Sequence, residues 1–225
     1  MHTLNSPYAG GPATLLVDGE RRHAIARESL TLPSMDINAR QLHDLELLIS
    51  GALSPLTGYM SSADYNSVLD GQRLPDGTFW PLPITLDVAT ETAKSLQAGT
   101  RIALRDPEGC LIAVLAMDEV WRADKEREAL ALYGTTKRGH PGIDRLFDHG
   151  SHYISGSLEG VALPIHHDFT ALRFTPALMR AFFTVRGWQQ VIAFPTCQPM
   201  HRAHYEFTLG TATDLEANLL ITALP

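Results

Sequence analysis

Apolar residues recur at helical spacing in the first quarter of the chain. The stripe comprises Leu42, Leu45, Leu48 and Ile49. Asn38 suits the N-cap of such a helix, and Gly51 falls near its end. The pattern predicts an amphipathic helix that packs on a sheet.

Turn residues and apolar runs then alternate through the middle of the chain. The segment RLPDGTFWPLPITLDV reads as a Pro-Asp-Gly turn followed by an extended stretch, because its prolines do not suit a helix interior. The segment from Gly99 to Asp124 predicts two strands around Asp-Pro-Glu-Gly, which form a β-hairpin. A charged helix is predicted from Asp124 to Tyr133, with its charges on a solvent-facing side.

A different order of elements begins after Phe169, where we place a domain boundary. Thr175 and Pro176 form an N-cap and first-turn pair. The elements predicted next are a helix up to Gly187, a strand from Gln189 to Phe194, a tight loop, a helix from about Met200 to Leu209, and a strand from Asn218 to Leu224. This order predicts the opening of an α/β parallel sheet with a right-handed crossover.

The amino-acid composition and charge limit which partners and which location we expect. The 225 residues are 44% hydrophobic and 19% charged, with a formal charge of −7, so we expect no nucleic-acid partner. No stretch has the length of a membrane span and the start lacks a signal-peptide pattern, so we expect no membrane partner and a cytoplasmic location. Cys110 and Cys197 are far apart, which favours reduced thiols.

The stretch QQVIAFPTCQPMHRAHYEFTL carries the candidate chemistry. A loop from a parallel strand into a helix presents free N–H groups and the positive end of the helix dipole, which suit phosphate. His201 and His204, three positions apart, would project to one side and contact phosphate oxygens.

Other interpretations of the pair remain open at this stage. Ordinary helix-surface histidines are one, and the chain offers a second pair at this spacing, His149 and His152. Zinc lacks a third ligand nearby, so we predict no protein-bound metal. Cys197 has no obvious base beside it, which favours an unreactive loop thiol.

The stretch VIAFPTCQPMHRAH resembles the VAFQTRNPxHRAH segment of the ATP sulfurylase (sulfate adenylyltransferase) family. LSPLTGYM, RLPDGTFWPLPITLDV, YGTTKRGHPG and FTPALMRAFFTVRGWQQVIAF also occur in the family's order. The resemblance implies an α+β fold with a PUA-like β-barrel domain in residues 1–168. The start of an α/β Rossmann-like nucleotidyltransferase domain would follow in residues 169–225.

The resemblance also implies an activity. A sulfate oxygen attacks the α-phosphorus of ATP bound with Mg²⁺, and pyrophosphate and adenosine 5′-phosphosulfate form, or the reaction runs in reverse. Thr196, His201 and His204 take the catalytic positions, and the two histidines bind the nucleotide. The expected partners are these substrates and products, further copies of the chain, and a fused or associated adenylylsulfate kinase.

The loop departs from the family's Gln-Thr-Arg-Asn at Pro195, Cys197 and Gln198. A thiol cannot replace the planar fork of an arginine that grips an oxyanion. The family's Gly-Arg-Asp loop also has no counterpart in these residues. Two other functions therefore stay open, namely a degenerate domain that serves as a structural or oligomerisation platform and a transferase for another oxyanion.

Overall fold

The computed structural model describes residues 13–223 of the chain. Their contacts divide them at Asp168 and Phe169 into two compact units. The domain assignment itself, 1–168 and 169–225, remains a prediction, and its two ends lie outside the described residues.

The first unit is built from helices and one mixed sheet. Its helices are α1 (Gly19–Glu28), α2 (Ala39–Ser50), α3 (Ser62–Gly71), α4 (Thr90–Ser95), α5 (Lys125–Tyr133) and α6 (Pro141–Asp148). Its strands are β1 (Ser34–Asp36), β2 (Gly58–Tyr59), β3 (Leu86–Val88), β4 (Arg101–Arg105), β5 (Leu111–Arg122) and β6 (His152–Gly160). The strand order is β1-β4-β5-β6-β2, and β3 also pairs with β6.

Local signals placed the helix α2 and the β4–β5 hairpin correctly. The Asn38 side chain and Gln41 form a capping box at the start of α2, and Gly51 ends it with φ +85°. Leu45, Leu48 and Ile49 are fully buried in a core that they share with the sheet. β4 and β5 pair antiparallel around the Asp-Pro-Glu-Gly turn. These predictions are confirmed.

The prediction that the charges of α5 face solvent is wrong for two residues. Glu128 is 5% exposed, and its Oε2 accepts hydrogen bonds from the hydroxyls of Tyr65 (2.9 Å) and Tyr153 (2.7 Å). The Lys125 Nζ donates to the carbonyls of Leu146 and His149 at 2.6 and 2.7 Å. Burial raises the pKa of Glu128 and lowers that of Lys125. Both side chains are therefore internal links between elements.

An ion-pair network joins α1, β4 and β6. Arg21 donates to both carboxylate oxygens of Glu159 at 2.7 and 2.9 Å, and Arg101 donates to Glu159 at 2.6 Å and to Glu28 at 2.6 and 3.2 Å. Hydrogen bonds from Arg21, and then from Arg101, hold the pKa of Glu159 below its ordinary value of 4.5.

The network makes stability depend on pH with a defined sign. Because the pKa of Glu159 is lower in the folded state, its contribution is present above about pH 4.5 and is lost as the pH falls through the folded value. We expect Glu159→Gln to lower the free energy of unfolding by about 0.5 kcal/mol at pH 7, a small effect because the pairs are partly exposed. Urea unfolding at pH 7 and pH 3 measures the difference, which should shrink at pH 3. Glu108→Gln, at the exposed hairpin turn, is the control, and a pH-independent loss would contradict the prediction.

The second unit, described over residues 169–223, contains one β-α-β crossover. A 3₁₀ turn (Thr170–Leu172) and α7 (Pro176–Val185) precede β7 (Val191–Thr196), α8 (Arg202–Asp214) and β8 (Asn218–Ala223). Thr175 caps α7 through its side chain, and β7 and β8 pair in parallel, as predicted. Leu224, the predicted last strand residue, lies outside the described part.

The predicted end of the first of these strands is wrong. A strand that ends at Phe194 leaves Pro195 in the loop, but Pro195 lies within β7, opposite Thr222. Gln190 O accepts from Asn218 N at 2.9 Å, and groups that face β8 recur at every second residue of a parallel strand. The backbone nitrogen of Pro195 therefore points away from β8. Its missing N–H removes no hydrogen bond between β7 and β8.

Candidate functional site

The candidate site lies where β7 passes into α8. β7 ends at Thr196, a short loop of Cys197 to Met200 follows, and His201 is the N-cap of α8. No side chain of the described residues caps the helix, although the backbone N–H of Tyr205 bonds to His201 O at 3.1 Å. The N–H groups of the first turn are thus left available to an anion, at the carboxyl end of a parallel strand.

The two histidines predicted to act together do lie together. Their ring centroids are 3.9 Å apart and the planes are inclined by 28°, which is a stacked arrangement. The ring of His204 also lies near that of Phe194 in β7, with ring centroids 5.8 Å apart and planes inclined by 51°. This tilted contact links His204 to the end of β7. The spacing of the histidines does not indicate Phe194, but its position at the end of an apolar strand does.

The two histidines differ in exposure. His201 is exposed, whereas His204 is half-buried. Within residues 13–223 the Nδ1 of His204 has no hydrogen-bond partner, and it is shielded from solvent. A histidine in this setting presents its other nitrogen, Nε2, to a ligand. The pair can therefore offer two ring nitrogens beside the free N–H groups of α8, which suits a phosphate chain.

The hydroxyl of Thr196 is engaged within the loop. Its Oγ1 accepts from the backbone N–H of Gln198 at 3.2 Å and donates to the Gln198 carbonyl at 2.9 Å. These bonds close a turn of the kind that threonine favours. The geometry is that of a residue that holds the loop, while its catalytic role remains a prediction.

The three positions that differ from the family segment lie at the surface, one at the end of β7 and two in the loop that follows. Pro195, Cys197 and Gln198 are all exposed, so their side chains can take part in an acceptor pocket. The nearby Arg202 is 91% exposed and contacts Glu206 at 3.4 Å. Cys197 and Cys110 are both free cysteines.

The other histidines singled out by the sequence have separate positions. His152 Nδ1 lies 3.0 Å from Ser151 Oγ, and His149 lines a cavity in the first unit, so this second pair forms no joint site. His166 bonds to Glu46 at 2.8 Å. Within residues 13–223, no group of three or more histidine, cysteine or acidic side chains could hold a metal ion. None of the helices in that range is both long and apolar enough to span a membrane.

Two parts of the chain match models of known protein families. A family model described as PUA-like domain matches residues 5–163, and one described as ATP-sulfurylase matches residues 170–225. The sulfate adenylyltransferase of Mycosarcoma maydis is 43% identical over 222 residues, which are 96% of this chain and 39% of the relative. That of Eremothecium gossypii is 39% identical over 218 residues, which are 96% of this chain and 43% of the relative.

A solved structure is also similar to this chain. A hexameric APS kinase from Thiobacillus denitrificans is 42% identical and superposes with a TM-score of 0.78, over 96% of this chain and 38% of that one. The chain thus spans about two fifths of the length of the relatives it matches. The PUA-like part of the predicted fold is confirmed. Matched by a PUA-like model and then by an ATP-sulfurylase model, and about 40% identical to sulfate adenylyltransferases over 96% of its length, this chain belongs to the ATP sulfurylase family.

Proposed function

We propose that this chain forms the N-terminal part of a sulfate adenylyltransferase, which transfers an adenylyl group between ATP and sulfate. The observation that carries the proposal is the stacked pair of His201 and His204 at the free N-terminus of α8. It occurs in a chain about 40% identical to sulfate adenylyltransferases over nearly its whole length. In this function residues 1–168 are the PUA-like domain, and residues 169–225 begin a Rossmann-like nucleotidyltransferase domain.

In the proposed reaction, the two ends of the loop contact different substrates. The histidine pair and the first turn of α8 hold the phosphate chain of ATP, which enters with Mg²⁺ as part of the substrate. A sulfate oxygen attacks the α-phosphorus, the bond to the bridging oxygen breaks, and the electron pair leaves with pyrophosphate. Charge on that leaving group is stabilised by the same donors. Thr196 keeps Pro195, Cys197 and Gln198 in place on the acceptor side.

Further sequence, as in the longer relatives, would complete the sheet. A two-stranded parallel sheet is marginal alone, and Tyr205, Phe207 and Ile221 are 56%, 69% and 48% exposed. We propose that additional elements cover these side chains in the complete enzyme, which acts in the cytoplasm as a homo-oligomer. The APS kinase named in the structural match supports a link to an adenylylsulfate kinase.

Nucleotide binding tests the histidine pair directly. We expect His201→Ala and His204→Ala each to weaken binding of Mg-ATP about tenfold, because a hydrogen bond to a charged phosphate contributes about 1.5 kcal/mol or more. Isothermal titration calorimetry of the 225-residue chain gives the affinities.

A matched substitution controls for loss of a histidine as such. His167 is an exposed histidine in the first unit, and His167→Ala should leave the affinity unchanged. If the unsubstituted chain and the three variants all bind Mg-ATP with equal affinity, the stacked pair does not bind the nucleotide. The assignment of nucleotide binding to His201 and His204 would then be wrong.

A further inference from the structure

The first unit contains a cavity that takes no part in the proposed reaction. Its volume is about 390 Å³, within the usual range for small-molecule sites. It lies between α2, α5, α6 and the segment that precedes β3. The side chains that matter for its chemistry are Arg40, Leu82, Glu128, Tyr133, Arg145 and His149.

The carboxylates of the cavity are already paired. Asp87, 8% exposed, accepts from Arg40, from Gln41 at 3.1 Å and from the backbone N–H of Gly150 at 3.0 Å. Asp44 accepts from Arg40 at 3.0 Å. Each thus contributes to the wall of the cavity and has donors of its own.

Glu128 is the third carboxyl of the wall, and it too has hydrogen-bond donors. It accepts from two tyrosine hydroxyls, and burial raises its pKa, which favours the neutral form. The wall therefore carries less free negative charge than its three acidic residues suggest.

Several nitrogen atoms of the wall, in contrast, have no hydrogen-bond partner within the described residues. Among the residues that the structure describes, none forms a hydrogen bond or ion pair with the guanidinium of Arg145. In the same wall, Arg40 Nε and His149 Nδ1 are buried and have no hydrogen-bond partner in the part of the chain that the structure describes. Unpaired buried polar groups are rare in folded proteins and call for a water, ion or ligand. Within residues 13–223, two buried nitrogens without partners and the unpaired guanidinium of Arg145, which is exposed, lie around this one cavity, and together they point to an anion.

The remaining lining is apolar and partly open to solvent. Leu82 is 57% exposed and Tyr133 is 40% exposed, and both lie on the cavity wall. The ring of Tyr133 is seated over Gly142, where an added Cβ would lie 2.6 Å from the tyrosine hydroxyl. An aromatic or aliphatic body can bury these surfaces while an anionic end reaches Arg145.

We propose that this cavity is a second binding site, which takes a small organic anion with an apolar body. Arg145 is the principal anion contact, and Leu82 and Tyr133 pack against the body. Such a site lies on the PUA-like unit, and it does not depend on the adenylyl-transfer function proposed above.

The test uses phenyl phosphate as the probe and ¹H–¹⁵N NMR of the 225-residue chain as the readout. We expect saturable shifts at the amides of Gly142 and Leu146 at millimolar probe or below. Arg145→Gln should weaken the affinity about tenfold or more. Leu82→Ser should weaken binding of phenyl phosphate and leave that of inorganic phosphate unchanged. Benzoate distinguishes a carboxylate from a phosphate head group, while benzyl alcohol should bind more weakly than either anion.

Two controls separate this site from general electrostatics and from the histidine site. Arg138 is a surface arginine that ion-pairs with Asp148 at 2.6 Å, and Arg138→Gln should not change the affinity. The double substitution His201→Ala and His204→Ala should leave the shifts at Gly142 and Leu146 intact. Absence of these shifts at 10-fold higher probe, or an equal loss in Arg138→Gln and Arg145→Gln, would overturn the proposal.

Discussion

Restoring the family's loop should raise sulfate-dependent activity about 30-fold or more. The change is Pro195→Gln with Cys197→Arg and Gln198→Asn, made in a chimera that joins these 225 residues to the remaining sequence of the Mycosarcoma maydis relative. An arginine at 197 offers a planar pair of donors to the oxyanion, and loss of such a charged partner commonly costs about 2 kcal/mol or more. Pyrophosphate release measured against sulfate concentration should show the gain as a lower KM for sulfate.

The effect should be confined to the acceptor side. The KM for ATP should stay within about twofold, because His201 and His204 are unchanged by the restoration. Replacing Cys197 by lysine in the same background is the matched control, since it adds charge without the planar fork and should recover only part of the gain. If the restored chimera has the same KM for sulfate as its parent, the loop does not form the acceptor site.

Loss of the Glu128 carboxyl should give the largest change in stability. We expect Glu128→Ala to lower the free energy of unfolding by about 2–4 kcal/mol, because the hydroxyls of Tyr65 and Tyr153 would both be left buried without an acceptor. Both tyrosine rings pack against Trp121, with ring centroids 6.1 and 5.9 Å away. The two side chains therefore cannot simply rotate to give their hydroxyls another acceptor. Urea denaturation at pH 7 measures the loss.

Two substitutions show whether the buried carboxyl is responsible. Glu128→Gln keeps an acceptor oxygen and removes the cost of burying charge, so it should lose less than half as much. Glu126→Ala removes an exposed carboxylate from the same helix and should change stability by about 0.5 kcal/mol or less. A similar loss for Glu126→Ala and Glu128→Ala would mean that only the helix, and not the buried contact, is affected.

The elements of this chain were predictable wherever the signal was local. The Asn38 cap, the hairpin around Asp-Pro-Glu-Gly and the cap at Thr175 all depend on residues a few positions apart. The approach of His201 to His204 was predictable for the same reason, because positions three apart share one face of a helical turn. The family could also be recognised, since its motifs occur in order along the sequence.

The tertiary structure decided what depends on residues remote in sequence. Glu128 looks like any surface glutamate of a charged helix, and only Tyr65 and Tyr153, 63 and 25 positions away, make it internal. Pro195 looks like a strand breaker, and only pairing with β8 shows that its missing N–H faces away from the ladder. The cavity beside Arg145 has four separate segments as walls. Burial and hydrogen-bond pairing are properties of assembled neighbours, so local sequence patterns determined the elements while packing determined which polar groups were left without partners.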